Sequence, residues 1–160
     1  MEAVSRAKTI AFWFFTLVIA WEMAAGSMWD LLQIEFVRGV FDRLGYPHYM
    51  LFIIGAWKLP CALVLLAPRL PTLKEWAYAG AVFNYTGAAA SHLFAHEGPA
   101  AWAGPAVFAV MTMASWALRP AEKRLAPLGL PRLEVKRWLV PVGIGAAMVV
   151  LALVTLPKGR

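Results

Sequence analysis

Charged residues are scarce in this chain of 160 residues. They make up 15% of the sequence, whereas hydrophobic residues make up 61%. A soluble domain is closer to half apolar and a quarter charged, so this composition argues against an ordinary soluble domain. Several stretches approach the roughly 20 apolar residues that are needed to span a bilayer. The sequence therefore predicts an integral membrane protein.

Cysteine is nearly absent as well, and the one cysteine, Cys61, lies inside an apolar run. One cysteine excludes an intrachain disulfide, a CxxC redox pair and a cysteine-rich metal site. The sequence also lacks the GxSxG, HExxH, P-loop and GxGxxG motifs of common enzymes and the CxxCH motif of covalent haem. Its basic residues do not alternate with aromatic ones, so no nucleic-acid partner is predicted. No intrinsic cofactor and no metal site are expected.

Five apolar segments predict an all-α transmembrane protein with four helices in a bundle and a fifth helix at the carboxyl end. A short amphipathic helix between residues 31 and 46 is expected to lie on the membrane surface after the first span. A basic linker at 121–137 separates a four-helix membrane domain, residues 1–120, from the extra helix at 138–160. The four spans of that domain are predicted at 9–29, 48–67, 73–96 and 100–118.

Lysine and arginine set the predicted orientation, because positively charged connections stay on the cytoplasmic side of a membrane. Most of them lie in the amino-terminal segment, in the turn at 68–74 and in the linker at 119–137. With five spans, all three regions fall on one side. We therefore expect a multi-pass protein of the bacterial inner membrane, with its amino terminus inside and its carboxyl terminus outside.

Charged side chains inside the predicted spans are the most informative feature. Glu22 and Lys58 lie in otherwise apolar runs, where a charge costs a few kcal/mol (about 2.5–3.5) and is usually paired and functional. The helical rise places Glu22, Lys58 and Asn84 roughly 12, 15 and 18 Å below the outer boundary, and His92 about 6 Å below it. Asp30 follows Glu22 on the same helical face. These depths predict a polar pocket that opens outward.

Two interpretations of these residues stay open. A Glu22–Lys58 pair could hold two helices in register, because an unpaired buried charge is far worse than a paired one. Alternatively, the same groups could bind a quinone headgroup, another small molecule or a proton. The third span also carries a seam of small or weakly polar residues that favours close helix packing. The seam consists of Ala77, Gly80, Ala81, Asn84, Gly87, Ala88 and Ser91.

Several segments of the chain look familiar. They are RLGYP at 43–47, GAWKL at 55–59, PRLPTLKEWAYAG at 68–80 and GAAASHL at 87–93, together with GSMWDL in the first span and SWALRP after the fourth. In these segments the chain resembles the DoxX-like family of small bacterial membrane proteins, over roughly residues 12–120. The resemblance implies a four-helix transmembrane bundle, so the fifth span departs from the family plan.

The resemblance also directs attention to particular residues. Lys58, Glu75, Asn84 and His92 fall in the recurring motifs, although relatives often carry an acidic residue where Asn84 stands. The candidate pocket residues are therefore Glu22, Lys58, Asn84, His92, Asp30, Ser91 and Glu75.

The family takes its name from a subunit of a thiosulfate:quinone oxidoreductase, and other relatives resemble partners of thiol or superoxide-defence proteins or chaperones of membrane receptors. We therefore expect an accessory subunit of a quinone-linked or thiol-linked redox system, without autonomous enzyme activity. Its ligand would be a quinone or a lipid. Its partners would be the bilayer, a redox or membrane protein and, as a further option, a second copy of the chain. An assembly or lipid-binding protein is the alternative, and a small-solute transporter is a weaker one.

Overall fold

The computed structural model describes residues 2–120, 124 and 135–154, and these residues form six helices and no strand. The all-α prediction is therefore confirmed for the described part of the chain. Parts of the predicted linker and the carboxyl-terminal charges at 158 and 160 lie outside the described residues. The helices are α1 (Glu2–Leu31), α2 (Glu35–Leu44), α3 (Tyr49–Leu66), α4 (Pro71–Phe94), α5 (Pro99–Leu118) and α6 (Val135–Val154).

Three of the described helices are long and apolar enough to cross a membrane: Arg6–Leu31 within α1, Tyr49–Leu66 and Pro99–Leu118. They coincide with the predicted first, second and fourth spans. The predicted third span coincides with α4, which carries charged and polar side chains along its length that lower its mean hydropathy. The predicted fifth span coincides with most of α6. The three apolar helices indicate a membrane protein.

Residues 1–125 form one compact unit, and residues 126–160, which include α6, form another. Within the first unit, α1 packs against α3 and α5, and α4 packs against the same two helices. Apolar side chains from all four helices fill the space between them, and van der Waals packing of this kind is what favours the association of helices in a bilayer. The most deeply buried members of this core are Ile19, Met23, Ala62, Leu65 and Ala81.

The contact between α1 and α3 is tight because a glycine lies at it. A Cβ atom on Gly55 would lie 3.0 Å from Cγ of Leu31 and 3.1 Å from the backbone oxygen of Ser27. The Ser27 hydroxyl donates a 2.7 Å hydrogen bond to the Gly55 carbonyl. Small residues and interhelical hydrogen bonds of this kind let membrane helices approach closely. As a result, the residues that follow Ser27 in α1 face the middle of α3.

The short helix α2 has the two-sided pattern that the sequence predicted, with Val37 buried and charged residues on the other side. It ends at Gly45, whose φ of 73° is a left-handed conformation that glycine adopts without strain. The amide groups of Gly45 and Tyr46 then donate to the last carbonyls of the helix.

A lysine caps the carboxyl end of α3. Lys74 is 1% exposed and donates 2.7 Å hydrogen bonds to the carbonyl oxygens of Val64 and Leu65. These carbonyls lie in the last turn of α3, where the helix itself provides no partner. The start of α4 is thereby anchored to the end of α3.

Candidate functional site

A cavity of about 460 Å³ lies between α3 and α4, with Met23 of α1 at its inner wall. Its lining is almost wholly apolar, and the polar exceptions are Lys58 and Asn84. Trp57 and Trp76 flank it and are 74% and 72% exposed, as expected for aromatic side chains that face lipid. The other lining residues are Ile53, Ile54, Pro60, Cys61, Val64, Leu73, Ala77, Gly80 and Ala81.

Lys58 forms its ion pair with Asp30. The distance from Nζ to Oδ2 is 2.9 Å, and the side chains are 14% and 6% exposed. Among the described residues, Glu22 is not paired with Lys58, so the Glu22–Lys58 pair considered from the sequence is replaced by a Lys58–Asp30 pair. The lysine side chain is long enough to reach a carboxylate at another depth, and the close α1–α3 contact brings Asp30 within its range.

Glu22 lies on the same side of α1, one turn before Gly26. A Cβ atom on Gly26 would lie 3.1 Å from Nζ of Lys58 and 3.2 Å from Oε1 of Glu22. The glycine therefore lets both charged groups converge over one point of α1. The other carboxylate oxygen of Glu22 accepts a very short hydrogen bond from the hydroxyl of Tyr85 on α4. The ring of Tyr85 stacks on Phe108 of α5, with centroids 5.4 Å apart.

Asn84 is half-buried and lines the cavity directly. Its amide makes no hydrogen bond to the part of the chain that the structure describes. An amide has two N–H donors and a carbonyl acceptor, and all of them remain available to a molecule in the cavity. Asn84 is therefore the polar lining group best suited to orient a ligand.

His92 and Ser91 do not line the cavity; they belong to contacts near the far end of α4. His92 donates through Nδ1 to Glu97, with a 2.5 Å separation, and Arg43 of α2 donates to the other oxygen of Glu97 at 3.2 Å. These contacts hold the pKa of the Glu97 carboxyl below its usual value, chiefly through the hydrogen bond from His92. Ser91 forms a 2.9 Å hydrogen bond with the Tyr46 hydroxyl.

Glu75 lies near the opposite end of α4, far along the helix from His92. Its two oxygens accept hydrogen bonds from Arg119 at 2.6 Å and from the indole N–H of Trp116 at 2.8 Å. The guanidinium of Arg119 also lies 4.8 Å from the centroid of the Tyr78 ring, a cation–π contact. Glu75 therefore joins α4 to the end of α5 and does not line the cavity.

Comparison with known families shows to which family the helices just described belong. The family model described as the DoxX-like family matches residues 14–115, which include α2, α3 and α4 entirely and most of α1 and α5. The chain belongs to the DoxX-like family. No curated protein and no solved structure matches it. The DoxX-like match covers every residue that the cavity uses.

Within the DoxX-like region, the structure brings together part of the predicted site. Lys58, Asp30 and Glu22 cluster at the α1–α3 contact, and Asn84 lies across the cavity from that contact on α4. His92, Ser91 and Glu75 take part in helix-end contacts instead. Among the residues whose placement is described, no group of three His, Cys, Asp or Glu side chains could hold a metal ion.

Sequence reasoning missed Tyr85, which donates a hydrogen bond to Glu22 between α4 and α1. It also missed a buried chain of hydroxyl groups, in which Ser115 lies 2.8 Å from both Thr16 and Tyr78. Tyr78 and Tyr85 follow one another at helical spacing along α4 with Ala81 and Ala89, and all four are buried. That spacing was the available signal for a second, inward face on this helix.

Proposed function

We propose that this DoxX-like protein is a multi-pass protein of the bacterial inner membrane, with its amino terminus inside. In this arrangement α1, α3, α4 and α5 form a four-helix transmembrane bundle and α6 adds a fifth span. The pairwise packing of α1, α3, α4 and α5 supports it, as does the number of large apolar side chains exposed along these helices. A reporter fused to either terminus would test the orientation, and a cytoplasmic carboxyl terminus would contradict it.

Within that bundle, we propose that the protein is an accessory subunit of a quinone-linked or thiol-linked redox system and that the α3–α4 cavity binds a quinone ring. The observation that carries this proposal is the amide of Asn84, which has no hydrogen-bond partner among the described residues and lies on the wall of an apolar cavity of about 460 Å³. Such cavities lie within the usual size range of small-molecule sites, in which a few polar groups fix the orientation of the ligand. A quinone carbonyl can accept a hydrogen bond from the amide.

The electrons would have to come from a partner protein. The chain contains one cysteine, and the described residues hold no cluster able to bind a metal. Cys61 lines the cavity and donates a weak 3.4 Å hydrogen bond to the Ala77 carbonyl. A lone thiol cannot form a disulfide within its own chain, so a thiol-linked reaction would also require a partner.

Quinone binding can be measured through the tryptophans of the cavity wall, because a quinone quenches the fluorescence of nearby indole rings. We expect saturable quenching for the purified protein and weaker binding for Asn84→Leu. Loss of one hydrogen bond costs about 1 kcal/mol, or roughly fivefold in affinity. The control is Thr86→Val, since Thr86 is an exposed α4 residue whose hydroxyl bonds to its own helix at Val82.

Absence of saturable quenching would contradict quinone binding, and equal affinity in Asn84→Leu and the wild type would contradict the orienting role proposed for Asn84. The redox role has its own measurement, which is quinone reductase activity in membranes. We expect the Asn84→Leu and Lys58→Ala variants to reduce that activity while Thr86→Val retains it. Unchanged activity in both cavity variants would remove the support for a redox role.

A further inference from the structure

The charges around the cavity lead to an inference about which ligands it accepts, and it rests on the proposed binding of a ligand there. Lys58 is the only cation among the lining residues. Its charge is already balanced by Asp30 at 2.9 Å, and a Cβ atom on Gly26 would lie 3.1 Å from Nζ of Lys58 and 3.2 Å from Oε1 of Glu22. Two carboxylates therefore lie near one ammonium group.

The other helices packed against this cluster do not compensate for the second carboxylate. From α4, Tyr85 faces Glu22 with a neutral hydroxyl, and from α3 the neutral thiol of Cys61 lies within electrostatic range of Glu22. Helix α5 contains no charged residue. An anion that entered the cavity would therefore meet a paired lysine and an additional negative group.

We propose that Asp30 and Glu22 are specificity-determining residues that make the cavity reject anionic lipids and accept neutral lipophilic molecules carrying a hydrogen-bonding group. Rejection works through charge: like charges at close range in a poorly hydrated site repel strongly, and specificity often depends on such repulsion. Acceptance works through Asn84, whose amide can either donate to or accept from a carbonyl or hydroxyl group. Neither step requires Lys58 to leave Asp30.

A matched pair of probes separates charge from shape. One probe is a brominated long-chain fatty alcohol, and the other is the brominated fatty acid of the same length, ionised at alkaline pH. Bromine quenches tryptophan on contact, so binding near Trp57 and Trp76 can be followed in nanodiscs of zwitterionic phospholipid. We expect saturable quenching by the alcohol, and at least about tenfold weaker binding of the acid, because several kcal/mol oppose like charges.

Four variants complete the test. Asp30→Asn releases the charge of Lys58 and should raise the affinity for the fatty acid at least about tenfold. The matched control is Asp42→Asn, because Asp42 is an exposed α2 residue that pairs with His48 and should leave both affinities unchanged. Gly80→Leu should abolish saturable quenching by both probes. Gly80 lines the cavity, and a Cβ atom there would meet no other atom within 4 Å, so the leucine side chain would occupy cavity space.

Glu22→Gln keeps the Lys58–Asp30 pair and should also raise fatty-acid affinity, so it decides the matter if Asp30→Asn fails to fold. Equal binding of alcohol and acid by the wild-type protein would overturn this inference while leaving ligand binding intact. Unchanged fatty-acid affinity in Asp30→Asn and Glu22→Gln would overturn the roles assigned to these residues. If neither probe binds, this inference is overturned together with the proposed cavity function.

Discussion

Substitution of Gly55 by alanine tests the close contact that positions the Lys58–Asp30 pair. The added methyl group would lie 3.0–3.1 Å from Leu31, Asp30 and the backbone oxygen of Ser27. Because one of these neighbours is backbone, α1 must move as a whole by a few tenths of an ångström. Overpacking of this kind costs about 1–3 kcal/mol, whereas alanine regains up to about 1 kcal/mol of helix propensity. The net expectation is a loss of up to about 2 kcal/mol.

The matched control is Gly87→Ala on α4, where a Cβ atom would meet no other atom within 4 Å. This variant should gain up to about 1 kcal/mol from helix propensity alone. Both proteins can be unfolded in mixed detergent micelles and followed by far-ultraviolet circular dichroism. The propensity gain is common to both variants, so they should differ by the overpacking cost alone, about 1–3 kcal/mol in free energy of unfolding. Equal stability of Gly55→Ala and Gly87→Ala would refute the argument that the α1–α3 contact depends on a glycine.

Three further outcomes follow from the side-chain contacts. Tyr85→Phe removes the hydroxyl that donates to Glu22. The free energy of unfolding in micelles should therefore fall by about 1–3 kcal/mol. An unchanged unfolding curve would contradict this expectation. The pKa of Glu97 is lowered in the folded protein, so its contribution to stability is present above the usual carboxyl value of 4.5 and is lost as pH falls through the lower folded value. Thermal unfolding across that range should therefore be less acid-sensitive in Glu97→Gln than in the wild type. Arg119→Lys cannot reproduce the two hydrogen bonds of the planar guanidinium, one to Glu75 and one to the Trp116 carbonyl. A loss of about 1–3 kcal/mol is expected in the same micelle assay, whereas retention of wild-type stability would show that a point charge suffices.

The sequence was sufficient to predict the helices because apolar runs and turn residues mark them directly. Tyr49–Leu66 and Pro99–Leu118 differ from their predicted spans by one residue at most at either end. The amphipathic segment after the first span was also predicted, from charged and apolar residues that recur at helical spacing. Each of these features depends on neighbours in sequence, so no knowledge of the tertiary contacts was needed.

The partner of Lys58 could not be predicted in the same way. Depth was estimated from the helical rise, which treats each residue as a point on an axis. That estimate brings Glu22 close to Lys58, but it ignores the length of the lysine side chain and the rotation of α1 about its own axis. The structure shows that Asp30, farther along the same face, is the residue within reach.

Rotation also explains why only some of the predicted residues line the cavity. Asn84 and His92 both lie on α4, and the sequence placed both in an outward pocket. Asn84 faces α3, whereas His92 turns toward the loop before α5 and bonds to Glu97. Glu75 bonds to Arg119, which in the sequence is only one of the basic residues of the linker at 119–137 but which is 4% exposed in the structure. Neither outcome is visible from spacing alone.

The division of contacts among the helices determines how this protein could diversify during evolution. On one side of the cavity, α3 is tied to α1 by Gly55 and the Lys58–Asp30 pair. On the other side, α4 is tied to α5 through Tyr78 and Ser115. Mutations that enlarge or shrink the cavity wall at Gly80 need not disturb either pair of helices. Cavity size can therefore drift among descendants of this protein while the two helix pairs stay constant.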